Sequence, residues 1–302
     1  MSPFGAEELA DRGQGRSSVG AAGIPAALPA QTRELILKPR SGWQAVDLPE
    51  LWSRRELLQF LVWRDVTLRY RQTILGGIWA VLQPLLAMLI FTFFFHNLVG
   101  INTNGPPYPL FAYAGLLLWT LFSNAVTNSS NSLVGNQMLV SKVYFPRVFL
   151  PLSAIGAPLL DLSVGLLLMA TLMAYYHWSP GISIFSLPLY IFGTILAAGG
   201  VGLILSALNV RFRDVKFAVP FFVQMGLFVS PVIYPLSYVP ARFQVVWAIN
   251  PMVGLIEGFR NALLGGETNW QPVVVSGVAS LLLFGCGLLL FRRMEREFAD
   301  II

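Results

Sequence analysis

Long apolar stretches without a single charged residue dominate the chain from residue 72 onward. A membrane-spanning helix needs about 20 mostly apolar residues, because the hydrocarbon core is about 30 Å thick. Turn-forming residues at 102–107 and 177–181 divide the two longest stretches, and another apolar run follows Arg147. The pattern therefore predicts six transmembrane helices, at residues 74–98, 110–130, 148–176, 184–208, 217–236 and 271–291.

Two different segments precede the first predicted span. Residues 1–49 are rich in Gly, Ala, Pro and Arg and lack the apolar run of a signal peptide, which predicts a cytoplasmic tail. Residues 50–72 carry aromatic side chains along one helical face and arginines elsewhere, a mixture that suits the headgroup region. They predict an amphipathic interfacial helix on the cytoplasmic surface, with a packed helix of a small soluble domain as the alternative. The residues that define this helix are Trp52, Trp63, Arg64 and Tyr70.

The connection between spans five and six predicts two short helices on the outer side. Residues 241–264 are mixed in polarity, and Asn250-Pro251 divides them into two segments that are each too short to span. Such segments would dip into the membrane, where their irregular backbone must be buried in protein or line a cavity. Glu257 and Arg260 are three residues apart and can pair. The two helices form either an outer gate or a structural plug, within an all-α integral membrane domain over 73–302.

Composition and charge support a membrane protein. Hydrophobic residues make up 55% of the 302 residues and charged residues 12%, against about 25% charged in soluble proteins. The net charge of +5 could indicate nucleic-acid binding, but 18 of the 20 Lys and Arg residues fall on one side of the predicted topology. Only Arg242 and Arg260 lie on the other side. The positive-inside rule therefore places both termini in the cytoplasm, and the excess charge requires no nucleic acid.

The chain lacks the usual signatures of catalysis and metal binding. It contains no Gly-x-x-x-x-Gly-Lys-Ser/Thr loop for phosphates, no His-Glu-x-x-His and no Cys/His cluster, and its single cysteine, Cys286, excludes a disulfide framework. Asp161 stands out because a carboxylate within a span is costly and usually faces protein or water. No basic residue occupies a predicted span, so we expect Asp161 to be protonated or bonded to an amide, in either a pathway or a structural role.

Aromatic and amide side chains recur on single faces of spans one and five. An aromatic plane beside an amide can hold a sugar ring, through contact with its C–H face and hydrogen bonds to its hydroxyls; the alternative is ordinary helix packing. Ala198, Gly202 and Ser206 repeat every four residues in span four, which predicts close approach of another helix. The candidate channel residues are Trp79, Gln83, Phe94 and the neighbouring Asn97 in span one, Asp161 in span three, and Phe217, Phe221, Gln224 and Phe228 in span five.

Seven segments, in order, make residues 40–302 resemble the permeases of polysaccharide-export ABC transporters. The segments are ELLQFLVWRDVTLRYR at 56–71, LGGIWAVLQP at 75–84, SKVYFPR at 141–147, NVRFRDV at 209–215, SPVIYP at 230–235, NPMVGLIEGFR at 250–260 and RRMEREFAD at 292–300.

The resemblance implies a homodimer in the bacterial cytoplasmic membrane that exports a lipid-linked polysaccharide, such as O-antigen, capsule or teichoic acid. Two copies of a separate subunit would bind ATP and Mg, and this chain would carry no cofactor or metal. The interfacial helix and the loop 131–147 would contact that subunit, and Asn250, Pro251, Glu257 and Arg260 would belong to the outer gate. Alternatives are an ABC exporter of another lipid or drug, and a polytopic membrane enzyme such as a glycosyltransferase. The coupling residues would be Asn136, Val140, Lys142, Tyr144 and Arg147.

Overall fold

The computed structural model describes residues 48–71, 76–103 and 105–298, and these residues form helices and connecting turns with no strand among them. Of the predicted tail at 1–49, all but the last two residues lie outside this part of the chain. The α-helices are α1 Leu48–Ser53, α2 Arg55–Arg71, α3 Gly76–Phe91, α4 Tyr108–Gly135, α5 Gln137–Lys142, α6 Phe149–Ser153, α7 Gly156–Tyr175, α8 Leu187–Arg211, α9 Val215–Val229, α10 Ala241–Trp247, α11 Pro251–Leu264 and α12 Trp270–Met294.

Five helical segments in the described residues are long and apolar enough to cross a membrane, which confirms five of the six predicted spans. The predicted fifth span, 217–236, is helical only through the 15 residues of α9. Ser230 leaves the helix with a ψ of 149°, because the following Pro231 disfavours helical geometry in the residue before it. The five long segments are Val81–Leu98, Tyr108–Gly135, Phe149–Tyr175, Ile182–Arg211 and Trp270–Met294.

α4 is the central helix of the described structure. It packs against α3, α7, α8, α9 and α11, and most of its side chains are buried. The small residues of α8 permit two close approaches, of which the four-residue spacing predicts the one at Gly202. A Cβ at Gly202 would lie 2.5 Å from the Cβ of Ser129 in α4, and one at Gly200 would lie 2.5 Å from the backbone of Leu283 in α12. α8 thus joins the central helix to the last one.

The predicted interfacial helix at 50–72 is divided into α1 and α2 by a turn at Arg54. α2 packs against α6 and α7, and its Leu61 side chain is only 4% exposed. Gly156 at the start of α7 makes this contact possible, because a Cβ there would lie 2.5 Å from Val62. α2 is therefore docked on the third long segment along one of its faces.

The segment between α9 and α12 folds into two short helices with the predicted break at Asn250-Pro251. The Asn250 side-chain oxygen accepts a 3.1 Å hydrogen bond from the Met252 amide and so caps α11, while Pro251 occupies the first turn, where no backbone donor is needed. Gly265 ends α11 in the left-handed conformation, with a φ of 79°. Nearly all of α11 is buried against α4, α8 and α12.

Candidate functional site

A groove of about 460 Å³ lies between α3 and α9, with α4 as its floor. Both flanking helices contain an internal proline at the groove, Pro84 in α3 and Pro220 in α9. A proline inside a helix removes one backbone hydrogen bond, so each wall lacks one such bond beside the groove. The groove is lined by Gln83, Pro84, Ala87 and Phe91 of α3, by Leu116, Trp119, Thr120, Ser123, Asn124 and Thr127 of α4, and by Pro220, Val223, Gln224 and Leu227 of α9.

Two of the predicted channel residues meet in this groove, Gln83 and Gln224. The predicted aromatic residues do not line it. Their side chains are exposed on the surface of the single chain, where lipid or another protein chain would cover them. These exposed residues are Trp79, Phe94, Phe217, Phe221 and Phe228.

The polar floor of the groove comes from α4, which sequence reasoning did not single out. Ser123 and Thr127 donate hydrogen bonds to carbonyls one turn earlier, Ser123 to Thr120 at 3.1 Å and Thr127 to Ser123 at 2.8 Å. Asn124 lies between them and also lines the groove. The helical spacing of polar residues within an uncharged span was the available signal for this face.

Asp161 is buried, and its partners come from α2 rather than from an amide. Arg69 forms an ion pair with the Asp161 carboxylate at 2.6 Å, and the Tyr70 hydroxyl donates a hydrogen bond to the other carboxylate oxygen. Burial and, next in size, the hydrogen bond to Asp161 together raise the pKa of Tyr70 to about 12. Tyr70 therefore stays a neutral hydrogen-bond donor at physiological pH, and Asp161 links α7 to α2 instead of facing the α3–α9 groove.

The other residues of the predicted interfacial helix face different surroundings. Trp52 and Trp63 are both 71% exposed, whereas Arg64 is half-buried and pairs with Asp65 at 2.7 Å. Asp65 also accepts a 3.2 Å hydrogen bond from the Ser153 hydroxyl in α6. One side of α2 thus holds a row of polar contacts to the bundle, while the tryptophans point away from it.

Arg260 in α11 is almost fully buried and holds three parts of the chain together. Its guanidinium donates to the carbonyls of Phe111 at 3.2 Å, Pro231 at 2.8 Å and Val232 at 3.0 Å. It also forms the predicted pair with Glu257 at 3.2 Å and stacks over the Phe111 ring, 3.6 Å from the ring centroid. Arg260 therefore binds the non-helical segment after α9 to the central helix.

Asn250 has a second role besides capping α11. Its side-chain amide donates a 2.9 Å hydrogen bond to the Ser230 hydroxyl, at the point where α9 ends. The Trp247 indole and the Tyr234 hydroxyl both donate to the Val229 carbonyl, at 2.9 and 3.2 Å. Trp247 of α10 and Asn250 before α11 thus satisfy groups at the open end of α9.

The predicted coupling residues divide into buried and exposed positions. Val140 is 3% exposed and belongs to an apolar cluster with Phe145 and Phe298, whereas Lys142 and Tyr144 are exposed, Tyr144 at 86%. Asn136 is half-buried at the start of α5. Its amide donates to the Ser132 carbonyl at 2.8 Å. Only part of this loop is therefore available to another subunit.

Arg147 forms hydrogen bonds with Glu295, in the segment that follows α12. Its guanidinium donates a 2.9 Å hydrogen bond to the Glu295 carbonyl, and its backbone amide donates to the Glu295 side chain at 3.3 Å. Phe298 packs edge-on against Phe291, with ring centroids 5.4 Å apart. The segment that follows α12 therefore braces the predicted coupling loop.

The described residues contain no cluster of three or more His, Cys, Asp or Glu side chains that could hold a metal ion. Cys286 on α12 is exposed and lines neither the groove nor the contact networks described above.

Known proteins resemble this chain over most of its length. An O-antigen export system permease protein of Myxococcus xanthus is 32% identical over 257 residues, which cover 84% of this chain and 98% of that protein. One of Klebsiella pneumoniae is 27% identical, covering 82% and 95%. A polysialic acid transport protein of Escherichia coli is 24% identical, covering 79% and 93%.

The resemblance extends to a whole protein family. Residues 56–264 match the ABC-2 type transporter family, and this range runs from α2 to the end of α11. It includes the α3–α9 groove, the Asp161 contacts and the Arg260 contacts. The match covers well over half of the chain, and the chain therefore belongs to the ABC-2 type transporter family.

Proposed function

We propose that the chain is the permease subunit of an ATP-driven exporter that moves a lipid-linked polysaccharide across the bacterial cytoplasmic membrane. Membership of the family makes it a multi-pass membrane transport subunit rather than an enzyme, with ATP bound by a partner subunit. The observation that carries the substrate class is the similarity, over more than three quarters of the chain, to proteins named for O-antigen export and polysialic acid transport.

The proposed pathway is the α3–α9 groove, closed by a second copy of the chain. Its floor and walls offer hydroxyl and amide groups, which form hydrogen bonds with sugar hydroxyls but carry no charge. The exposed aromatic residues of α3 and α9 flank the groove, where a second copy or the passing sugar chain would cover them. Asp161 has a positioning role in this scheme, because it pairs with α2.

In this proposal α9 is the fifth of six spans. Its 15 residues reach only about 22 Å, less than the hydrocarbon core, so the remaining depth must be covered by protein. α10 and α11 supply that cover, since Trp247 and Asn250 bond to the end of α9. These two helices, with Pro251, Glu257 and Arg260, form the outer gate, and both termini lie in the cytoplasm.

The ATP-binding subunits, two per dimer, would dock on the cytoplasmic side against α5 and the loop after it. Tyr144 and Lys142 are exposed there, on a loop braced by the Arg147–Glu295 contacts. ATP and Mg would be bound by those subunits.

The experiment that tests the proposal is reconstitution of the chain with its ATP-binding subunit in vesicles loaded with lipid-linked polysaccharide. We expect the two proteins to copurify and to move polymer across the bilayer only with ATP, and not with a partner subunit whose ATP hydrolysis is blocked. Transport of a simple lipid or drug but no polymer would overturn the substrate class and favour the exporter alternative. Copurification failure would overturn the partnership.

A further inference from the structure

Polar side chains follow one face of α4 beyond the α3–α9 groove. A second groove, also about 460 Å³, lies between α2, α4 and the α6–α7 segment. It is lined by Asn128, Asn131 and Ser132 of α4, by Asn136 between α4 and α5, and by Asp65, Leu68 and Arg69 of α2. Thr127 is the last residue of α4 that lines the first groove, and the next residue, Asn128, is the first that lines the second groove.

The α4 side chains that line the two grooves form one polar track along the helix. Asn124 and Asn128 are four residues apart, so they lie on the same helical face about 6 Å from each other along the axis. Thr127 of the first groove and Asn131 of the second are also four residues apart. Asn124 lines the first groove and Asn128 the second, which means that the track passes from one to the other without a change of face.

Three side chains on this track have unused hydrogen-bonding capacity. Among the residues that the structure describes, the side chains of Thr120, Asn124 and Asn128 make no hydrogen bond, although the Thr120 backbone carbonyl accepts one from Ser123. Asn131, by contrast, donates to the Thr127 carbonyl at 2.9 Å and accepts from Asn209 at 3.3 Å. All three open side chains are half-buried within a long apolar helix.

An amide at this depth without a partner is costly, by several kcal/mol in an apolar medium. The cost disappears if the groove holds water or a ligand rich in hydroxyl groups. An asparagine amide and a sugar hydroxyl can each both donate and accept hydrogen bonds. Binding therefore does not depend on one sugar configuration. Uncharged groups also bind less strongly than ion pairs, which lets a chain advance from one to the next.

We infer that Thr120, Asn124 and Asn128 form a hydroxyl-binding ladder on α4, along which the sugar chain slides from the α2 side toward the α3–α9 groove. The ladder rests on the proposed function and assigns residues to it that the sequence did not indicate. Its ligand class is a hydroxyl-rich polymer, and its recognition is by hydrogen bonds spaced one helical turn apart.

The first test measures whether the ladder is wet and occupied. In a Cys286→Ser background, Asn124→Cys and Asn128→Cys are labelled with a membrane-impermeant maleimide in the complex with its ATP-binding subunit, with exposed Glu267→Cys as control. We expect labelling at all three sites, and polymer trapped by a hydrolysis-blocked partner should lower it only at positions 124 and 128. Labelling that is absent at both positions, or unchanged by trapped polymer, would overturn the ladder.

The second test measures transport. The double variant Asn124→Leu/Asn128→Leu should export polymer at least about fivefold more slowly, as for the loss of one hydrogen bond of typical strength. Asn124→Gln/Asn128→Gln keeps the amides and should retain most of the rate. Normal export by the leucine variant would overturn the ladder but leave the proposed function intact. Absence of polymer export by the unmodified complex would instead overturn the proposed function, while the labelling experiment still reports whether the track is wet.

Discussion

Arg260 shows how one buried side chain organises a segment that has no regular structure of its own. A guanidinium carries five N–H donors in a fixed plane, and here three of its contacts are carbonyl oxygens while one is a carboxylate. The sequence spacing predicted only the contact with Glu257. The carbonyls of Pro231 and Val232 lie where α9 has ended and lack helical partners, so Arg260 satisfies groups that would otherwise be costly to bury.

We expect Arg260→Gln to destabilise the protein by about 3–5 kcal/mol. The substitution leaves three backbone carbonyls and the Glu257 carboxylate without the guanidinium that binds them. Glu257→Gln should cost less, since the glutamine amide oxygen can still accept the hydrogen bond and three carbonyls still bind the Arg260 guanidinium. Thermal unfolding of the purified variants in detergent measures the difference. If the two variants lose equal stability, the ion pair rather than the carbonyl contacts supports the outer helices.

Gly115 in α4 leaves the space that Arg260 occupies. A Cβ at Gly115 would lie 2.6 Å from an Arg260 guanidinium nitrogen and 2.9 Å from the Val232 carbonyl oxygen. Gly115→Ala should therefore destabilise by about 1–3 kcal/mol, as overpacking does. Gly277→Ala in α12 is the control, because nothing lies within 4 Å of its Cβ and alanine favours the helix. A Gly115→Ala variant as stable as this control would contradict the tight contact.

At the scale of elements, α2 is held to α7 by two contacts to a single acid. We expect Asp161→Asn to lower the opening free energy of α2 by about 2 kcal/mol, the scale of hydrogen bonds to a charged group. Hydrogen exchange should then speed up across Arg55–Arg71 and not in α12. Asp214→Asn, at an exposed position before α9, should change neither. Faster exchange throughout the protein would indicate general unfolding instead of release of α2.

The Tyr70 bond has a defined pH range. The folded pKa of about 12 lies above the usual value of 10.0, so burial and the bond to Asp161 favour the neutral phenol. The bond therefore contributes fully below pH 10 and is lost as the pH rises through about 12. The absorbance difference between the wild type and Tyr70→Phe should show this phenolate forming near pH 12. A transition near pH 10 would mean that Tyr70 is not held by Asp161.

The α5 segment contains a buried position, Val140, and the loop after it contains an exposed position, Tyr144. Tyr144→Asp should leave the fold intact and uncouple ATP hydrolysis from transport, because the side chain is 86% exposed. Val140→Asp should unfold the part of the bundle around α5, since it places a charge in an apolar cluster. Limited proteolysis and coupled ATPase assays distinguish the two effects. Full coupling in a folded Tyr144→Asp variant would contradict the docking role.

At the scale of the whole molecule, the exposed faces of α3 and α9 require a second surface. Phe217 is 76% exposed and Trp79 55%, beside a groove that is open on one side. In a dimer closed along these helices, Phe217→Cys in a Cys286→Ser background should form disulfide-linked dimers under mild oxidation. Thr171→Cys on the exposed side of α7 should not. Equal cross-linking at both positions would indicate random collision in the membrane and contradict the proposed dimer face.

The sequence by itself determined the class of protein, five of its long helices, the break at Asn250-Pro251 and the family. These depend on local properties, namely runs of apolar residues, proline geometry and ordered segments. Gln83 and Gln224 were also predicted, and the structure brings them into one groove.

Only the tertiary structure decided which groups meet across the bundle. The partners of Asp161 are 91 and 92 residues away in the chain, and the carbonyl partners of Arg260 lie 28, 29 and 149 residues away. Hydrogen-bonding groups at such separations are paired by helix packing, which neither periodicity nor spacing reports. The same reason explains why the predicted channel aromatics, such as Trp79 and Phe217, do not line the groove while the polar face of α4 forms its floor. Which face of a helix is turned toward its neighbours depends on the shapes of all the helices packed around it.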